Sequence, residues 1–356
     1  MNSSKFFFDN EGNDYDAILV ISFGGPEGPD DIMPFLDNVL KGLNVPTHVK
    51  SNIAKRYERF GGISPINQET RSFIETLESK IQKNGPQLPI YWGNRNWNPL
   101  LTETVNQMAE DGIKNAIAYV TSTFSSYSGC RKYREDLYEA IQGIDNPPNI
   151  DKLRVGYNHP GFITAVSDKT RLAIAEADAP SEKTLVMFTA HSLPLSMAKC
   201  TDYEVQLREA CYLVGQSIGL ISWQLAYQSN NASYGEPWLE PDISDALEQA
   251  KTDGYSHIII VPIGFVCDHM EVVLDLDIEA KEQAENLGLN MIRAATVGNH
   301  PAYIEMVRDL IMERISKDPE RKYLGNRGPN GDYCPPDCCL SGRPNEKKPT
   351  LCGIGT

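Results

Sequence analysis

No apolar stretch in the 356 residues approaches the roughly 20 that a membrane-spanning helix needs. Residues 1–15 also lack the basic start and apolar core of a secretory signal. Positive charge is scarce as well: 33 Lys and Arg face 48 Asp and Glu, a formal balance of -15, which argues against a surface that tracks nucleic-acid phosphates. The glycine-rich segment 23–29 (FGGPEGP) has neither the G-x-G-x-x-G spacing nor a Walker lysine and serine, so its glycines read as a tight turn. These absences leave a cytoplasmic globular chain with no nucleic-acid partner and no transmembrane span. In a reducing compartment eight cysteines are then too many for disulfides, and clustered thiols point to a metal or redox site.

The chain does contain short apolar, β-branched runs: 17–22 (AILVIS), 89–92 (PIYW), 116–121 (AIAYVT), 185–189 (LVMFT), 223–227 (WQLAY) and 258–265 (IIIVPIGF). Each reads as a strand buried on both faces. Segments 73–81, 205–219 and 304–315 carry helical periodicity between them, so the pattern predicts an α/β fold with parallel sheets built from right-handed crossovers. At roughly 150 residues per domain the length suits two domains. The expected limits are 1–150 and 151–317, with a seam in the proline-rich stretch 145–160, followed by an irregular cysteine-containing extension over 318–356. By composition that extension would ordinarily be called disordered.

Polar, aromatic and glycine residues cluster just after the strands, and in open α/β sheets ligands bind at those carboxyl ends. The two sets of strand ends would therefore face one cleft. TAHSLP (189–194) puts His191 directly after a buried strand, where it is either a hydrogen-bonded structural residue or a proton acceptor and metal ligand. In 262–277 (PIGFVCDHMEVVLDLD), continued as a helix, Asp268, Glu271, Asp275 and Glu279 would share one face. Such a stripe is either a solvated surface or a path for divalent cations and protons. The loop RYERFGGISPIN (56–67) can clasp a flat, carboxylate-bearing ligand with forked Arg56 hydrogen bonds and an apolar face from Tyr57 or Phe60, although a plain turn would look similar.

Taken in order, SFGGP, RYERFGGISP, YWGNRNWNP, TAHSLP, SYGEPWLEP and PIGFVCDHMEVVLDLD resemble the ferrochelatase family over about residues 15–315. YSGCRKYRED (127–136) and the GNRNW run make the likeness greatest to its actinobacterial coproporphyrin type. The resemblance implies two Rossmann-like lobes of chelatase type, a porphyrin cleft between them, and insertion of ferrous iron into coproporphyrin III, or protoporphyrin IX, with release of two protons in heme biosynthesis. It implies His191 and Glu271 as catalytic residues and iron ligands, with Asp275 next along the metal path. Ser64, Tyr133, Arg56 and Tyr57 match porphyrin-contacting positions. Phe23 stands where several relatives have tyrosine, so a metal-ligating hydroxyl is missing there. A cobalt chelatase of related fold and a non-catalytic tetrapyrrole or iron-sulfur sensor are the alternatives. Monomer and homodimer remain open.

The resemblance also accounts for the cysteines. Some family members hold a two-iron two-sulfur cluster on one internal cysteine and three in a C-terminal extension. Here Cys130 matches the internal position, and Cys334, Cys338, Cys339 and Cys352 compete for the others, so four of these five are expected to bind it and to staple the extension onto the first lobe. The preferred set is Cys130, Cys334 and Cys339 with Cys352 next; a tetrathiolate zinc site is the alternative. Cys200, Cys211 and Cys267 read as ordinary packing.

Overall fold

A computed structural model describes residues 7–42, 45–220, 222–230, 235–343 and 348–351. The strands β1 (Ala17–Ser22), β2 (Ile90–Asn94), β3 (Asn115–Val120) and β4 (Asn149–Lys152) form one sheet in the order β2-β1-β3-β4. The strands β5 (Thr184–His191), β6 (Trp223–Gln228), β7 (His257–Val261) and β8 (Asn290–Arg293) form a second in the order β6-β5-β7-β8. All pairings are parallel, so both sheets repeat one permutation, and the fold is the expected α/β pair of parallel sheets.

The central strands follow from composition. Ala17–Ser22 is buried along its whole length, as a β-branched run in the middle of a parallel sheet should be. The run over 258–265 does not continue as a strand to its end, because Pro262 has no N–H to give a ladder and β7 stops at Val261. Periodicity does not reveal β4 (NIDK) and β8 (NMIR), which are short, partly polar edge strands paired on one side only.

One hydrophobic core joins the two halves. Ile18, Ile117 and Tyr119 of the first sheet share it with Val186, Phe188 and Ile259 of the second. The helix Pro301–Ile315 packs on both Pro160–Ala177 and Ile66–Asn84. Phe73 stacks on Tyr119 at 5.6 Å, and Phe124 meets Phe162 edge-on at 5.9 Å. Burial of each such ring contributes roughly 1.5–3 kcal/mol over leaving it in water.

The described part of the extension is folded against this body despite its polar composition. Its backbone groups are taken up by buried arginines: Arg131 donates to the carbonyls of Pro336 (2.6 Å), Cys338 (3.1 Å) and Lys348 (3.1 Å), and Arg134 to that of Leu351 (3.0 Å). Farther along the contact, Arg314 donates to Tyr333 (2.8 Å) and Arg321 pairs with Asp332 (2.6 Å). Hydrogen bonding substitutes here for the apolar periodicity that composition shows to be missing. No helix among the described residues is long and apolar enough to cross a membrane.

Candidate active site

The carboxyl ends of both sheets open into one cleft with two halves. Phe23 and Gly24 after β1, Arg95 after β2, and Thr121 and Ser122 after β3 line the apolar half, which has about 1270 Å3 of space outside atoms, part of it open to solvent. Gly24 lies at φ +79, the left-handed region in which glycine is favoured, so the FGGP segment is the tight turn its composition suggests. Ser64 and Tyr133 are buried in the wall of this half. Burial pushes the Tyr133 hydroxyl above its ordinary pKa, while the Arg95 guanidinium, 4.6 Å from the Tyr133 ring, works in the opposite direction. Arg95 also lies 5.6 Å over Phe23 and pairs with Asp136 at 2.7 Å, so its head is fixed at the wall.

His191, the last residue of β5, lies where the two halves meet, together with Tyr57, Met270 and Glu271. Its Nδ1 is 2.5 Å from the Ser192 carbonyl oxygen. A carbonyl only accepts, so Nδ1 carries a hydrogen, and in the neutral tautomer of the ring the lone pair is on Nε2. Nε2 faces Glu271 Oε2 at 3.7 Å. Trp238 lies tilted beside the imidazole at 6.4 Å, and Tyr203 donates to the His191 carbonyl (3.0 Å). The approach of the two motifs depends on Gly264: a Cβ there would sit 2.6 Å from Ala190 Cβ and 2.7 Å from Ala190 Cα.

Beyond Glu271 the chain enters a π-helix, Val273–Ala280, after the short helix Met270–Val272. Glu271, Asp275 and Glu279 line the second half of the cleft. Burial, reinforced by the neighbouring Glu271 and Glu279 charges, pushes the Asp275 carboxyl up to about 6, against hydrogen bonding from Ser229 and the attraction of Arg56. Asp268 leaves the expected stripe. It precedes the helix and pairs with Arg293 (2.9 Å) and Thr296 (3.0 Å) instead.

Arg56 lies in the acidic half, not the apolar one, and bridges Asp275 (3.0 Å) and Glu279 (3.3 Å). Tyr57 borders both halves, packs on Phe35 at 5.7 Å, and has its hydroxyl pKa raised by burial and by the Glu271 charge. Trp97 packs on Phe35 and Tyr227 is fully buried, so both belong to the core. Sequence reasoning did not single out His269 or Arg95. His269 lines the cleft with its basicity lowered by desolvation, and its Nδ1 accepts from the Glu271 N–H at 3.2 Å, capping the helix that carries Glu271. The only signal for it was its place in CDHME, beside the glutamate.

The cysteines form a second site. Cys338 Sγ and Cys339 Sγ are 3.4 Å apart. Cys334 and Cys339 both donate toward Cys130 and Cys338, which pulls the Cys130 thiol well below its ordinary pKa and the Cys338 thiol down to about 4. The same contacts, with burial, push the Cys334 and Cys339 thiols above their ordinary pKa. The four thiols thus make a ring of neighbours, with Lys152 and Arg134 favouring negative charge on Cys130. No group of three or more His, Cys, Asp and Glu among the described residues is arranged for a single metal ion. Cys352 lies outside the described residues.

Comparison with known proteins agrees with this geometry. The family model described as Ferrochelatase matches residues 15–315. A ferrochelatase from Rhodopirellula baltica is 48% identical over 92% of this chain and 93% of its own. Coproporphyrin III ferrochelatases from Streptomyces coelicolor (40% identical; 94% of this chain, 96% of the relative) and Frankia alni (42%; 92% and 87%) are also similar. Among solved structures, the fold resembles the sirohydrochlorin chelatase SirB of Bacillus subtilis subspecies spizizenii, at TM-score 0.51 and 10% identity over 84% of this chain and 94% of that one. It also resembles a multi-domain chelatase-like protein of Deinococcus radiodurans at TM-score 0.52 and 14% identity, covering 89% of this chain but only 57% of that one. With the motifs in their cleft and the family model spanning both sheets, the chain belongs to the ferrochelatase family of metal-inserting enzymes.

Proposed function

We propose that the chain inserts ferrous iron into coproporphyrin III, with His191 and Glu271 as the reacting pair. The observation that carries this is the Nε2 lone pair of His191 held 3.7 Å from a carboxylate, at the point where an apolar half-cleft meets an acidic one. Metalation must remove two pyrrole protons and strip water from a divalent ion. His191 Nε2 accepts a proton or offers the ion a nitrogen, and Glu271 stabilises the imidazolium or takes the proton onward. Asp275 then continues the route by which the hydrated ion approaches, with Arg56 neutralising that stretch until the ion displaces it. Phe23 supplies an apolar face for the macrocycle, while Ser64, Tyr133 and Arg95 offer hydroxyl and guanidinium groups for propionates. The names of the Streptomyces and Frankia relatives favour coproporphyrin III over protoporphyrin IX. The assay is anaerobic incubation of the pure chain with ferrous iron and each porphyrin. Coproporphyrin III should be metalated faster, and no metalloporphyrin from either would refute the reading.

In this reading Cys130, Cys334, Cys338 and Cys339 hold a two-iron two-sulfur cluster. The fit rests on four neighbouring thiols, Cys130 and Cys338 each beside both Cys334 and Cys339, with the cationic Lys152 and Arg134 next to Cys130, which is the donor set such a cluster needs. When bound, the cluster supplies a one-electron couple and a crosslink. The chain's own residues hold the extension over the segment that carries Cys130. A freshly purified protein should be coloured, with charge-transfer bands that bleach on reduction; a colourless, zinc-containing protein would transfer the four thiols to a zinc site.

A further inference from the structure

The segment 126–136 borders both sites. In the π-turn Tyr127–Arg131, Ser128 and Gly129 line the porphyrin half of the cleft, while the next two residues, Cys130 and Arg131, face the extension. Ser126 caps the turn by accepting from the Gly129 N–H (2.8 Å), and Gly129 lies so close to the end of β3 that a Cβ would stand 2.5 Å from Ser122 Oγ. The helix Lys132–Ala140 that follows carries Tyr133 to the cleft and Arg134 to the extension. The turn is thus closely packed against the end of β3 and carries residues of both sites on consecutive positions.

Arg131 is the joint. Its guanidinium is 2% exposed and is shared between the Glu135 carboxylate (3.0 Å) and the carbonyls of Pro336, Cys338 and Lys348. Glu135 in turn accepts from the Tyr127 hydroxyl (3.0 Å). One residue farther on, Asp136 holds Arg95, whose guanidinium covers Tyr133 and reaches toward the Ser128 carbonyl (3.5 Å). Two charge-assisted sets, Arg131 with Glu135 on the side of the thiol site and Arg95 with Asp136 at the wall of the porphyrin cleft, are thus anchored on consecutive residues of one helix.

We propose that Arg131 is a positioning residue that couples docking of the cysteine-bearing extension to porphyrin binding. The inference rests on the reading of the Ser128 and Tyr133 wall as the porphyrin wall. Docking fixes the turn, the turn fixes the wall, and the coupling is reciprocal: bound porphyrin must hold the extension in place by the same factor. Arg131 touches no reacting atom, so its effect belongs in affinity and not in the chemical step.

The test uses the full chain as purified, with coproporphyrin III affinity read by fluorescence quenching in the absence of iron. In Arg131→Lys, which keeps the charge but not the fork to three carbonyls, porphyrin Kd and KM are expected to rise about tenfold with kcat within about twofold. In the unmodified chain, porphyrin should slow loss of iron to a chelator, or alkylation of Cys338 where no iron is bound, by a similar factor. Arg131→Lys should lose that protection. A folded variant with unchanged Kd and unchanged protection would overturn the proposal, as would a fall in kcat at constant KM. Should the variant not fold, Cys338→Ser, which alters the thiol site while leaving the Arg131 side chain and its backbone acceptors in place, must weaken porphyrin binding in the same assay. Absence of iron in the purified chain would refute the cluster but leave the alkylation arm to decide the coupling. Coproporphyrin III that fails to bind the unmodified chain would refute the porphyrin reading itself.

Discussion

The two sheets have the same strand order, yet their strand ends carry different chemistry. After the strands of the first sheet come Phe23, Gly24, Arg95, Thr121 and Ser122, and the helices beside them add Tyr57 and Tyr133. After those of the second come His191, Ser229, His269, Glu271 and Asp275. Every imidazole and carboxylate lining the cleft among the described residues comes from the second half. On the proposed function, one architecture used twice would separate the handling of a flat organic ring from the handling of protons and a metal ion. The function resides in loops grafted on a repeated frame.

That division can be broken at chosen points. The largest effect is expected for His191→Ala, which removes the Nε2 lone pair and should lower kcat by a factor of about 100 or more, with porphyrin affinity nearly unchanged by fluorescence titration. Next comes Asp275. Its folded pKa of about 6 lies above the unfolded value, so its protonated form is the compatible one: the stability it confers is present at pH below about 4 and is lost as pH rises through 6. Asp275→Asn should therefore stabilise the fold by up to about 3 kcal/mol near pH 7 and by little near pH 4, measured by urea unfolding at both values, while weakening use of iron. An equal gain at both pH values would show that ionisation is not the cause.

Smaller changes sharpen the comparison from the other side. Ser64→Ala and Tyr133→Phe should each raise the KM for coproporphyrin III roughly three- to tenfold, with kcat nearly constant, since in the proposed mode each hydroxyl would donate one hydrogen bond to a propionate. A fall in kcat alone would place these residues in the chemistry. The smallest effect is expected for Arg56→Ala. Loss of its pairing with Asp275 and Glu279 should change the KM for iron a few-fold and make it less sensitive to salt, because Arg56 and Glu279 are half exposed although Asp275 is buried. An altered KM for porphyrin instead would return Arg56 to the ring-binding set.

The sequence revealed buried strands and the motifs at their ends far better than it revealed connections. His191 and Glu271 were legible because each follows an apolar strand run whose end opens into the cleft, whereas Ser64 came only from the family resemblance, since its loop alone reads as a plain turn. Asp268 was misplaced because the periodicity argument extends a helix backwards through residues that form its entry loop. The π-helical stretch beyond it was invisible, since a 3.6-residue period and a π-turn offer the same i, i+4 neighbours over so short a run. Arg56 reads as a ligand clasp in one dimension. Its partners, Asp275 and Glu279, lie more than two hundred residues away. The extension was misread by composition alone, because the groups that order it are buried arginines belonging to the body of the molecule.

The contact of Gly264 with Ala190 bears on how freely this site can be altered. One position precedes His191 and the other leads into the loop of Glu271, and the gap between them is smaller than a methyl group. Ala190 is already nearly as small as a side chain can be, so neither site has room to drift unless the strand itself is moved. Any side chain larger than glycine at position 264 would thus push the segment before His191 away from the one leading to Glu271, so the spacing of that proposed pair is set by a missing methyl group.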